Sequence, residues 1–141
     1  MQIYTLYILN KSGGLVYHND FQPGLLQLTT NESLVMASTI HSIHAISSKI
    51  TPANAKTNDL YNNNKSGLRI IETENFQIYV YQTITGVKFI GFANDTNLAE
   101  MEVWFKKVYL CYSDYVMKNP FQQLDMPIKN DNFDRIVRQT V

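Results

Sequence analysis

The chain has 141 residues, 45% of them apolar and 12% aromatic, which suits one domain with a well-filled core. Twelve basic and twelve acidic side chains cancel to a formal net charge of zero. That balance lacks the basic footprint that nucleic acid or an anionic membrane attracts. Only 17% of the residues are charged, against roughly 25% in typical soluble domains, and this points to surfaces covered by other proteins.

One cysteine, Cys111, leaves no internal disulfide and no thiolate metal cluster to build. The start, Met1-Gln2-Ile3-Tyr4, has neither the basic n-region nor the apolar h-region of a signal peptide, so a cytosolic chain is expected. No apolar run approaches the ~18 residues of a membrane span.

In chain order, residues 3–9 are β-branched, aromatic and apolar on both alternating faces, the pattern of a strand covered on both sides. Asn10-Lys11-Ser12-Gly13-Gly14 signals a turn, and Leu15-Val16-Tyr17-His18 reads as the returning strand. Thr29-Thr30-Asn31-Glu32 has capping-box spacing and predicts a helix from near Asn31 to about Lys49. Met36, Ile40, Ile43 and Ile50, with Thr39 and Ile46 beside them, form an apolar stripe at helical spacing. The other side carries Leu34, Ala37, Ser38, His41, Ala45 and Ser48, with Lys49 the one charge near them. A helix so poor in outward charge is expected to be covered on both sides.

Residues 51–66, with Asn54, Asn58 and Asn62-Asn63-Asn64, read as a flexible loop. Strands are predicted near 68–73, 76–83 and 87–93, with turns at Glu74-Asn75 and Thr85-Gly86. A long helix over about 97–118 carries Leu98, Met101, Phe105, Val108, Tyr112 and Tyr115 on its apolar stripe. Glu102 with Lys106 and Asp114 with Lys118 are spaced as outer i,i+4 pairs, and Asn119-Pro120 ends the helix. A short amphipathic segment with Phe133, Ile136 and Val137 follows. The order β-β-α-β-β-β-α-α predicts an α+β fold, a five-stranded antiparallel sheet with helices packed on it.

The residues that could carry chemistry each have a plainer use. Cys111 lies mid-helix beside the core stripe without a neighbouring base, as a small buried hydrophobe does. His41 and His44 stand at i,i+3, but two ligands without a carboxylate or cysteine at a suitable offset make no metal site. Gly13-Gly14 leads into a strand, not a helix, so a hairpin turn accounts for it better than a phosphate loop. The tyrosines lack the basic groove of a base-stacking platform. No catalytic residue, cofactor site or metal site emerges.

Several blocks together resemble the synbindin-type subunits of TRAPP, the vesicle-tethering complex. They are Tyr7-Ile8-Leu9-Asn10-Lys11-Ser12-Gly13-Gly14-Leu15-Val16-Tyr17, Asn31-Glu32-Ser33-Leu34-Val35-Met36-Ala37-Ser38-Thr39-Ile40-His41 and Tyr81-Gln82-Thr83-Ile84-Thr85-Gly86-Val87-Lys88-Phe89. Further along come Tyr112-Ser113-Asp114-Tyr115-Val116-Met117-Lys118-Asn119-Pro120-Phe121, Asp125-Met126-Pro127-Ile128 and Phe133-Asp134. The resemblance spans nearly the whole chain and implies a longin-like fold, here without the PDZ-like insertion that some members carry after the second strand.

It further implies a second longin subunit and Bet3-fold subunits as neighbours, in an assembly acting as guanine-nucleotide exchange factor for an early-secretory Rab GTPase. The implied place is cytoplasmic, peripheral at the ER–Golgi interface and cis-Golgi, with membranes met only through the complex. Leu34, Ser38, His41 and Ala45 on the first helix are one candidate contact surface. Ser113, Asp114, Lys118, Asn119, Pro120 and Met126 are the other. A small longin-fold chain of a vesicle-coat adaptor is the alternative, although residues 131–141 are shorter and less regularly patterned than its C-terminal helical region would be.

Overall fold

The computed structural model of the chain describes residues 2–22, 29–50, 69–83, 85–94, 97–122 and 126–140. The loop expected at 51–66 lies outside the described residues. The elements run β1 (Gln2–Leu9), β2 (Leu15–Asp20), α1 (Thr30–Ile50), β3 (Ile70–Glu72), β4 (Gln77–Gln82), β5 (Lys88–Asn94), α2 (Leu98–Tyr112) and α3 (Asp131–Thr140). A π-helical turn over Ser113–Met117 extends α2. The strands form one antiparallel sheet in the order β2-β1-β5-β4-β3, as the sequence pattern predicts. No helix among the described residues is long and apolar enough to cross a membrane.

The sheet is buried on both faces because β1, β4 and β5 are apolar at successive positions. One face presents Leu6, Ile8, Tyr79, Phe89 and Ala93 to Met101, Trp104, Phe105 and Val108 of α2 and to Phe133 and Val137 of α3. Gly91 lets α2 come close: a Cβ there would stand 2.9 Å from the Met101 methyl and 3.1 Å from the Phe105 ring. The other face presents Tyr7, Leu9, Ile78, Val80, Ile90 and Phe92 to Ala37 and Ile40 of α1. Each fully buried aliphatic or aromatic side chain contributes about 1.5–3 kcal/mol.

Local chemistry fixes the helix ends. Glu32 N–H donates to Thr29 Oγ1 at 3.2 Å while the Glu32 carboxylate accepts from Thr29 N–H at 3.0 Å, the capping box read from the sequence. Asn97 caps α2 by accepting from Glu100 N–H, and Asn130 caps α3 by accepting from Phe133 N–H. A chain of side chains pins α3 to β2. Arg138 donates to Asn19 Oδ1 at 2.8 Å, Asn19 Nδ2 donates to the Tyr17 hydroxyl at 2.9 Å, and that hydroxyl donates to Asp134 at 2.6 Å. Burial and the Asp134 carboxylate push the Tyr17 hydroxyl well above its ordinary range.

Three expectations are corrected. The core line of α1 is Ser33, Ala37, Ile40 and His44, with Met36 half-buried beside it, so of the apolar stripe read from the sequence Thr39, Ile43, Ile46 and Ile50 are turned outward. Small residues at 33 and 37 let the helix lie close on the sheet, where the Tyr7 hydroxyl meets Ser33 Oγ at 3.4 Å. Past Tyr112 the π turn adds a residue, so Val116 and not Tyr115 continues the buried stripe of α2. Glu102 pairs with Arg69 ahead of β3 instead of Lys106 one turn on, whereas Asp114 and Lys118 pair as spaced, at 3.2 Å.

Candidate partner-binding site

The outer face of α1 presents several large apolar side chains to solvent. Val35 is 66% exposed, Ile46 60% and Ile50 75%, with Leu34 and Ile43 also exposed. At 100° per residue, Val35, Thr39, Ile43, Ile46 and Ile50 form one continuous stripe along the helix. The candidates Leu34, Ser38 and Ala45 lie on the flank of that stripe and are exposed. A stripe of this extent, with Lys49 the one charge in the last turn, is the kind of surface that proteins cover by association.

His41, the fourth candidate on α1, is turned instead toward the end of the sheet. Lys88 Nζ, on the first residue of β5, lies 2.8 Å from His41 Nδ1. An ammonium only donates, so His41 Nδ1 is the acceptor and the ring proton sits on Nε2. Lys88 is only 4% exposed, and burial lowers its pKa; no carboxylate among the described residues lies close enough to counter it. One helical turn on, His44 is 2% exposed with Nε2 lacking a hydrogen-bond partner. Burial, then the charges of Lys88 and His41, push its pKa down to about 4. The same two causes, burial first and Lys88 second, lower His41.

The β1–β2 turn closes this corner. Asn10 Oδ1 accepts from Ser12 N–H at 3.1 Å, from the Ser12 hydroxyl at 3.0 Å and from Gly14 N–H at 2.8 Å, which holds the turn in shape. Gly13 has φ of +92° and lies on the imidazole of His41: a Cβ there would stand 2.6 Å from Cδ2. Glycine is thus required twice, for the backbone angle and for the contact.

The second group of candidates gathers at the same end of the sheet but on its other face. Met126 lines a groove of about 490 Å³ with Asn10, Lys11, Val16, Thr85, Val87, Tyr112, Val116, Met117, Gln122 and Ile128. Ile128 N–H donates to Val16 O at 2.8 Å and Asn130 Nδ2 to Tyr115 O at 2.8 Å, so the chain after α2 is tied over the groove. Ser113 is half-buried, Asp114 and Lys118 are exposed and paired, and Asn119 caps the bend by accepting from Phe121 N–H. Pro120 and Phe121 beyond it are exposed. The structure therefore brings His41 and Met126 to one end of the sheet, on either side of the β1–β2 turn, while Leu34 lies toward the far end of α1.

Sequence reasoning missed Lys88 and the outward turn of the α1 stripe. A lysine opening an otherwise apolar strand, Lys88-Phe89-Ile90, was a signal for the first. Serine and alanine spaced four apart at 33 and 37 were a signal for the second.

An antiparallel five-stranded sheet in the order β2-β1-β5-β4-β3, lying between helices, is a fold of the longin and roadblock type. A Roadblock/LC7 domain from Streptomyces avermitilis shares the fold, with a TM-score of 0.50 at 13% identity over 78% of this chain and 87% of that one. The sequence model of the Sybindin-like family matches residues 3–141, and the chain belongs to that family. It is 42% identical over 134 residues to the trafficking protein particle complex subunit 4 of Dictyostelium discoideum, covering 95% of this chain and 92% of that protein. With the human subunit 4 it shares 39% identity over 112 residues, 79% of this chain but 47% of that protein, so it spans about half the human relative's length. Subunit 1 of the same complex in Dictyostelium discoideum is 27% identical over 132 residues, covering 93% of this chain and 88% of that protein.

Proposed function

We propose that the chain is a non-catalytic subunit of a trafficking protein particle complex, in the place that subunit 4 takes. The observation that carries this reading is the exposed apolar stripe of α1 on a chain so similar to subunit 4 along nearly its whole length. In this reading the stripe docks a second longin-fold subunit, with Leu34, Ser38, His41 and Ala45 at its border. The region of Ser113, Asp114, Lys118, Asn119, Pro120 and Met126 meets Bet3-fold subunits or the GTPase.

The assembled complex acts as a guanine-nucleotide exchange factor for an early-secretory Rab at the ER–Golgi interface. Exchange of this kind is differential binding: the assembly holds the nucleotide-free GTPase more tightly than the loaded one, which lowers the barrier to GDP release. No side chain has to move a proton, so the chain's part is to shape and hold a surface. Affinity purification of the tagged chain from its native cytosol, with the co-purifying proteins identified, tests the reading. Longin and Bet3-fold partners are expected; vesicle-coat subunits in their place would move the chain to the adaptor class.

A further inference from the structure

The corner formed by Gly13, His41, His44 and Lys88 is a cationic site without its counter-charge. The Lys88 ammonium is buried, with His41 and His44 of α1 beside it and Leu9 and Gln82 as its strand neighbours. The β1–β2 turn, whose one charge is the cation Lys11, packs on the His41 ring through Gly13. Among the described residues, no carboxylate perturbs Lys88, His41 or His44. A buried charge left unpaired is costly, and a fold keeps one where something outside supplies the partner.

The geometry also gives the charge an outlet. Because Nδ1 of His41 accepts from Lys88, its Nε2–H is a donor, and that proton finds no acceptor among the described residues. His41 is only half-buried, and Gly13 fixes its ring by direct contact. An acceptor arriving from outside would meet an imidazole N–H polarised by an ammonium from behind.

We infer that this corner receives a carboxylate side chain, Asp or Glu, of the protein partner that covers α1, with His41 donating to it and Lys88 supplying the charge. The inference rests on the partner reading given above, because the exposed flank of α1 at Leu34, Ser38 and Ala45 lies between the apolar stripe and the corner. The stripe supplies contact area, and the corner supplies register: the helix can slide along an apolar stripe, but only one setting satisfies a buried cation.

The test uses the double variant His41→Phe/Lys88→Met, which keeps a ring against Gly13 and leaves no orphaned charge. Thermal unfolding of the free chain checks that it folds. Wild-type and variant chains are then bound to the native complex depleted of this subunit, at low and high ionic strength. The expected result is a Kd raised tenfold or more with a flatter salt dependence, partly restored by His41→Gln on the Lys88 background, since an amide offers Lys88 an oxygen and the partner an N–H. Equal affinity and equal salt dependence for the two chains would overturn the inference and leave the partner reading standing. A wild-type chain that joins no assembly would overturn the partner reading first. Binding of the chain to phosphatidylserine-containing vesicles that the double variant abolishes would assign the corner to a phosphate headgroup and overturn the carboxylate.

Discussion

Acid should loosen α1 from the sheet, because His44 is buried in its neutral form beside a cation. Its folded-state pKa of about 4 lies below the ordinary 6.5. Stability from this group is therefore fully present above pH 6.5 and is lost as pH falls toward 4. A gap of that size corresponds to about 3 kcal/mol in full and about 2 kcal/mol by pH 5. His41, lowered by burial and by Lys88, acts in the same direction. The assay is urea unfolding of the isolated chain across that range for wild type and His44→Leu. Leucine fills the space, removes the titrating group and relieves the orphaned Nε2. The wild type should lose about 2 kcal/mol more than the variant between neutral pH and pH 5. Equal losses would refute the placement of His44 as a neutral, desolvated side chain.

The α1 stripe gives the next prediction. Ile46→Asp on a residue 60% exposed should leave unfolding within about 0.5 kcal/mol of wild type while abolishing co-purification of the partner subunit. Phe133→Ala, in a fully buried position between α3 and the sheet, should cost about 3–5 kcal/mol in denaturant unfolding. Gly13→Ala meets both a φ of +92° and the His41 ring at 2.6 Å. It should cost at least about 1–2 kcal/mol from the backbone alone and shift the His41 ring resonances in NMR.

Much of the fold was legible because local and global signals agree. The two-sided apolar pattern of residues 3–9, the capping box at Thr29 and Glu32 and the turn residues around Gly13 each act over a few positions, and the structure uses them as read. The rotation of α1 left only a faint trace in the sequence, in the small residues Ser33 and Ala37. Large residues such as Ile43, Ile46 and Ile50 dominate any periodicity, yet the close approach to the sheet selects Ser33 and Ala37, which carry almost no hydrophobic weight. The π turn at Ser113–Met117 shifts the register by one residue, which no spacing of apolar residues announces. The pairing of Arg69 with Glu102 and of Lys88 with His41 joins positions far apart in sequence. The contact candidates on α1 were found by their lack of charge, while the residue that sets the electrostatics of the corner, Lys88, sits on another element.

Reconstitution of the exchange reaction tests the central claim most directly. The complex is assembled with and without this chain, and release of a fluorescent GDP analogue from an early-secretory Rab is followed. The account predicts fast release with the wild-type chain and release near the intrinsic rate when the chain is omitted or carries Ile46→Asp. Fast release from the complex lacking this chain would contradict it.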